Sequence, residues 1–291
     1  NSMSLTAGIH NIPLADYLAD PAPAPSLSSS IAHRLVTQAP CHAWARHPRL
    51  NPAYQSEDGG KMDVGSAVHA ILLEGAENRV AYIDAEDWRT KVAKEERDAA
   101  RVAGRIPLLV GNRAIVNAMV SAGRDALAKS ELDDAWTHGE AEATLLWQES
   151  DIWCRCRPDW LSFDKRTIIS VKTTAGSAEP NTFLRNAIIP HGYDLQAAME
   201  ARGVMQIFKP TACRVVWVVI ECEPPHAVSL VGLTPEFLEH AERKLRWAMV
   251  KWATCLKADS WPGYDSRIAW LDLPAWAQAQ FTERLFTEEA T

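Results

Sequence analysis

The chain contains no C-x-x-C pair. That removes the usual zinc ribbon and leaves no disulfide framework to read. Its six cysteines, Cys41, Cys154, Cys156, Cys213, Cys222 and Cys255, are scattered, a usage that fits a reducing cytoplasm. Long apolar runs are missing too. None approaches the roughly 20 residues of a membrane-crossing helix, and no secretory leader is visible, so a cytoplasmic protein without membrane attachment is expected. No internal repeat, low-complexity array or phosphate-binding P-loop occurs, so nothing points to an ATP-driven motor. Excess positive charge is also absent, the net charge being −7. A nucleic-acid binder often carries a positive total. Such a partner would therefore have to meet a basic lining inside an acidic exterior, which also limits non-specific adhesion to DNA.

What is present fits a soluble α/β protein. The 291 residues, 47% hydrophobic and 23% charged, are enough for one large domain or two small ones. The richest stretch is WCRCRPDWLSFDKRTIISVKTT, residues 153–174. Aromatic and β-favouring residues run from Trp153 to Phe163, Asp164-Lys165-Arg166 forms a polar turn, and Thr167 to Thr173 is β-branched. That pattern predicts a hairpin. It brings Asp159 beside Lys172, a compact place for a divalent cation and a water. Arg155, Arg157 and Asp159 alternate and share one strand face. Two arginines beside a metal carboxylate suit a phosphate-rich substrate; the plainer alternative is a structural Arg–Asp pair.

Around this hairpin the chain alternates helices and strands. Residues 1–26 read as an extended, Pro- and Ala-rich segment. Ser28-Ser29-Ser30 precede an apolar periodicity that predicts a capped helix to about His47. Gly59-Gly60 end a loop, and 61–75 reads as an apolar helix carrying His69 and, further round, Glu74. Residues 87–106 are strongly charged, either a solvated helix with local ion pairs or a basic arch over DNA. Residues 108–132 read as an amphipathic helix. Residues 139–147, with Glu142, open the sheet. Short helices are expected over 181–188 and 193–205, strands over 213–221 and 227–233, and a long helix over 234–257, started by Thr234-Pro235. The expected division is 1–26, a single domain over 27–264 (27–132 mainly helical, 139–232 the sheet core), and a tail over 265–291.

Pro158-Asp159 followed by Val171-Lys172 resembles the PD-(D/E)XK nuclease core, where Pro-Asp on one strand meets Asp/Glu-X-Lys on the next. The spacing and the wording RPD…VKTT resemble most closely its RecE-type (exonuclease VIII) branch, and more distantly lambda exonuclease. Gly65–Leu72 fits the G-x-x-x-H-x-x-L helical histidine motif of RecE and RecB nucleases, and Trp261-Pro262-Gly263-Tyr264 is a phrase of RecE relatives. Gln196 matches the glutamine of a Q-x-x-x-Y motif whose tyrosine position is Glu200 here. The resemblance spans about Ser28 to Tyr264. It implies an α/β restriction-endonuclease-like core: a central mixed sheet flanked by helices, with a helical N-terminal part.

It further implies Mg²⁺ or Mn²⁺ held by His69, Asp159, the Val171 carbonyl and an acid at position 170. Lys172 would serve the water, with Gln196 and Glu142 in support. Arg155 and Arg157 would contact DNA, and Ser30 and Arg34 a 5′-phosphate. The activity implied is an ATP-independent 5′-to-3′ exonuclease on linear double-stranded DNA ends in phage-type recombination. It would work as a homo-oligomeric ring, a toroidal trimer or tetramer, with a single-strand annealing protein as partner. Position 170 is Ser170, a poor ligand for a hard cation. A catalytically disabled form is therefore expected, made so deliberately rather than by decay, because His69, Asp159, Lys172 and Gln196 all remain. The alternative is a protein that binds DNA ends without cutting. An iron–sulfur nuclease of the same superfamily is set aside, because Cys213, Cys222 and Cys255 are too far apart.

Overall fold

The computed structural model describes residues 4–55, 63–279 and 282. In chain order the elements are β1 (Gly8–His10), α1 (Leu14–Leu18), β2 (Ser26–Leu27), α2 (Ser29–Thr37), α3 (Pro40–Ala45) and α4 (Asp63–Glu74). Next come β3 (Val80–Ile83), α5 (Lys91–Val102), β4 (Ile106–Leu109), α6 (Arg113–Ala128) and α7 (Asp133–Thr137). The sheet strands β5 (Gly139–Ala141), β6 (Thr144–Glu149), β7 (Ile152–Cys156), β8 (Trp160–Ser162) and β9 (Thr167–Thr174) follow. The chain ends its folded part with α8 (Pro180–Phe183), α9 (Ile189–His191), α10 (Tyr193–Phe208), β10 (Arg214–Glu221), β11 (Val228–Gly232) and α11 (Pro235–Ala258). No described helix is long and apolar enough to cross a membrane.

The expected α/β architecture holds. Its central mixed sheet has the order β11-β10-β9-β8-β5, with β9 and β10 parallel and the other pairs antiparallel. A second sheet has the order β1-β6-β7-β2, and β3 pairs with β4 apart from both. Parallel neighbours need a long crossover, and α10 lies within the one between β9 and β10. Both central strands are buried on two faces, as their unbroken β-branched runs require. Ile169 and Val171 pack into a core with α4 and α6, whereas Ile168 packs into a core with α2, α10 and α11. The period of two therefore puts Ser170 and Lys172 on the α10 side.

Several local expectations change. The helix foreseen from the serines to His47 breaks at Pro40, where Ala39 is extended at ψ 151°, because a residue before proline is pushed out of the helical region. Leu108 belongs to a strand, since Ile106–Leu109 pairs with Val80–Ile83; short apolar runs of this kind read equally as helix or strand. Residues 8–27 are not merely a lead-in, for they contribute β1 and β2 to the second sheet. Gly59, Gly60 and Lys61 lie outside the described residues. The largest change concerns the hairpin. Its first half divides into β7 in one sheet and β8 in the other, and 139–147 likewise divides into β5 and β6. The chain crosses between sheets at Glu142 and at Arg157–Asp159.

Candidate metal centre

The two crossings are stitched together: the Glu142 amide donates to the Asp159 carbonyl at 3.0 Å. Glu142 takes a left-handed conformation, φ 58°, which turns its side chain out of the strand direction. Pro158 cannot continue a ladder, and Asp159 follows it at the start of β8. Both carboxylates thus sit on the seam between the sheets, and α4 lays His69 across them. His69 Nδ1 is 3.4 Å from Glu142 Oε1, and Nε2 is 3.3 Å from Asp159 Oδ1. Among the described residues, these three side chains bring one donor atom each within 4.8 Å of one another.

The electrostatics of the trio follow from its neighbours. Burial alone would raise the Asp159 pKa. The Lys172 ammonium, His69 and the Val171 amide, which donates to Oδ2 at 2.8 Å, outweigh it and hold the group down to about 2. Burial depresses His69, but the charges of Asp159 and Glu142 overcome it and leave its pKa raised. Glu142 is itself clamped. Arg157 Nε donates to it at 2.5 Å, while the same guanidinium reaches the Ile12 carbonyl at 2.8 Å and Thr144 Oγ1 at 2.9 Å. Two carboxylates and an imidazole with fixed orientation fit an oxygen-preferring divalent cation with one nitrogen ligand. The arginine fixes one ligand from behind.

A family profile described as a PDDEXK-like domain of unknown function, DUF3799, matches residues 28–273. The chain belongs to this family. A solved structure with the same fold, a presumed exonuclease from Eubacterium rectale, covers 91% of this chain and 97% of its own at 12% identity and a TM-score of 0.61. Another, SSO0001, covers 67% of this chain and 87% of its own at 12% identity, but its TM-score of 0.28 carries no argument. No curated protein matches.

In the DUF3799 chain the lysine half of the expected motif lies where the register puts it. Lys172 Nζ sits 4.9 Å from the centre of the Tyr193 ring at the start of α10. Ser170, fully buried, leaves its Oγ without a hydrogen-bond partner. Gln196 bonds Glu200 through its side-chain amide at 2.8 Å. Val171 donates its amide to Asp159 Oδ2 at 2.8 Å.

Other expected site residues lie elsewhere. Arg155 is buried at 4% exposure, 3.2 Å from Asp20, and donates to the Ser26 carbonyl and hydroxyl at 2.7 Å. It ties β7 to the N-terminal segment. Its partner is an aspartate, as the plainer reading held, but Asp20 rather than Asp159. Arg157 is committed to Glu142, not to a surface. Ser30 pairs with Ser28 and Arg34 with Gln38. On the charged helix α5, Lys91 pairs with Glu95 and Arg97 with Asp98 locally, while Arg101 reaches Asp63 at the start of α4. Glu74 pairs with Arg79. Sequence reasoning missed the clamping role of Arg157 and the presence of a buried acid at Glu200. The first had a signal in the R-P-D triplet; the second was in view only as a missing tyrosine.

Proposed function

We propose that this chain is a divalent-metal-dependent deoxyribonuclease acting from the ends of linear double-stranded DNA, an ATP-independent 5′-to-3′ exonuclease of the RecE kind. The observation that carries the reading is the His69–Glu142–Asp159 trio with Lys172 charging its aspartate. When bound there, Mg²⁺ or Mn²⁺ would supply Lewis-acid stabilisation and a more acidic water. The chain's own residues do the remainder. Asp159, Glu142 and His69 hold the cation's position. Lys172, from the neighbouring strand, orients the attacking water and balances the negative charge of phosphate and carboxylates. Arg157 keeps Glu142 aimed. Direction, a ring-shaped trimer or tetramer, an annealing-protein partner, a recombination role and a cytoplasmic setting rest on the resemblance to RecE nucleases.

The test is digestion of 5′-phosphorylated linear duplex DNA with Mg²⁺ or Mn²⁺, beside covalently closed circular DNA and an EDTA control. Metal-dependent loss of the linear form alone, abolished by Lys172→Met, is the expected result. A linear duplex that stays intact with both cations overturns it. A second reading has one observation behind it, the serine at position 170. A non-cleaving DNA-end binder would retain DNA ends while leaving them whole.

A further inference from the structure

We propose that Glu200 supplies the carboxylate that position 170 lacks, joining the coordination of the cation from α10 on the Lys172 side of the sheet. This rests on the metal-dependent reading above.

The argument starts from the register. Ser170 and Lys172 face α10, and Lys172 touches the Tyr193 ring. Tyr193, Gln196 and Glu200 are three and seven residues apart, on one stripe of that helix. Glu200 is 2% exposed. Its hydrogen-bond partner among the described side chains is the neutral amide of Gln196. A buried carboxyl without a paired cation is costly. Fold stability alone gives no reason to keep one here, because glutamine or methionine would fill the same volume. Glu200 also senses the site. Burial, followed by the charge of Asp159, raises its pKa to about 8 against the downward pull of Gln196 and Lys172. The Ser170 Oγ on β9 is fully buried and unpartnered. A short neutral side chain on the strand and a long acid on the facing helix are complementary. Exchanging a strand acid for a helix acid preserves the carboxylate count. Glu200 lies outside the 4.8 Å trio, so it enters as a further ligand and not as a substitute for one of the three.

The experiment is calorimetric titration of Mn²⁺ into the metal-free full chain, with DNA digestion run in parallel, for the unmodified chain, Glu200→Gln, Ser170→Asp and the double variant. Circular dichroism establishes folding first, and Glu200→Met is the second variant should the glutamine fail to fold. Glutamine keeps the Gln196 contact and the shape, so a packing role would survive it. The expected result is Mn²⁺ affinity at least about tenfold weaker in Glu200→Gln, recovered by adding Ser170→Asp. Unchanged affinity in folded Glu200→Gln overturns the proposal. So does an unmodified chain that binds no Mn²⁺, which sinks the nuclease reading with it. Glu200-dependent Mn²⁺ binding with intact DNA supports the proposal and overturns the nuclease reading alone.

Discussion

Replacing Glu200 by glutamine should stabilise the metal-free protein, and only at higher pH. The ordinary glutamate value is 4.5, and burial beside Asp159 raises Glu200 to about 8. Between those values the unfolded chain has released its proton and the folded chain has kept it. The folded state therefore binds more protons, and stability falls as pH rises through the window. At about 1.4 kcal/mol per pKa unit, the full penalty is at most about 5 kcal/mol. That is a large share of a typical folding free energy of roughly 5–15 kcal/mol. Glutamine cannot ionise, so its advantage should be near zero at pH 4.5, grow steadily and level off above pH 8. Urea unfolding of both proteins in EDTA, at unit steps from pH 5 to 9, reads this difference directly. Other titrating groups are common to both chains and largely cancel. Parallel pH profiles, with no widening gap, would refute the claim that an unpaired carboxyl is buried at this position.

Three further outcomes are expected. Arg155→Met takes from Asp20, 1% exposed, its buried arginine and leaves it with His47, Ser26, the Ala22 amide and the more exposed Arg49 at 4.0 Å; it should destabilise the fold by about 3–5 kcal/mol in urea unfolding while DNA-end affinity, measured on the folded fraction, stays unchanged. Arg157→Ala frees Glu142 and should weaken Mn²⁺ binding about 10- to 100-fold by calorimetry, a loss that a merely DNA-contacting arginine would not produce. Ser170→Asp puts an acid at a fully buried strand position and should lower metal-free stability by a few kcal/mol, with the deficit shrinking when Mn²⁺ is supplied.

The elements set by local chemistry were legible and those set by sheet membership were not. Thr234-Pro235 announced α11, whose hydroxyl cap accepts from the Phe237 amide at 3.3 Å, and the β-branched run over 213–221 announced a strand. His69, Asp159 and Lys172 were likewise nameable, because their motif is short and each lies on one element. The seam was hidden. A strand that leaves one sheet for another keeps its alternation and its β-propensity, so Trp153–Phe163 read as continuous. Pro158 was the local sign that the ladder stops there. For the same reason Arg155 was assigned to the face of Asp159. Its actual partner, Asp20, reaches it through the Ser26–Trp153 pairing of β2 with β7, a contact no periodicity encodes. Glu200 shows a different limit. Matched to a motif, it registered only as the absence of tyrosine. Set in the fold, it is a buried acid on the helix whose Tyr193 ring meets Lys172. A substitution read alone at Ser170 implies a broken centre; read with its facing helix, it implies a centre whose charge has been moved.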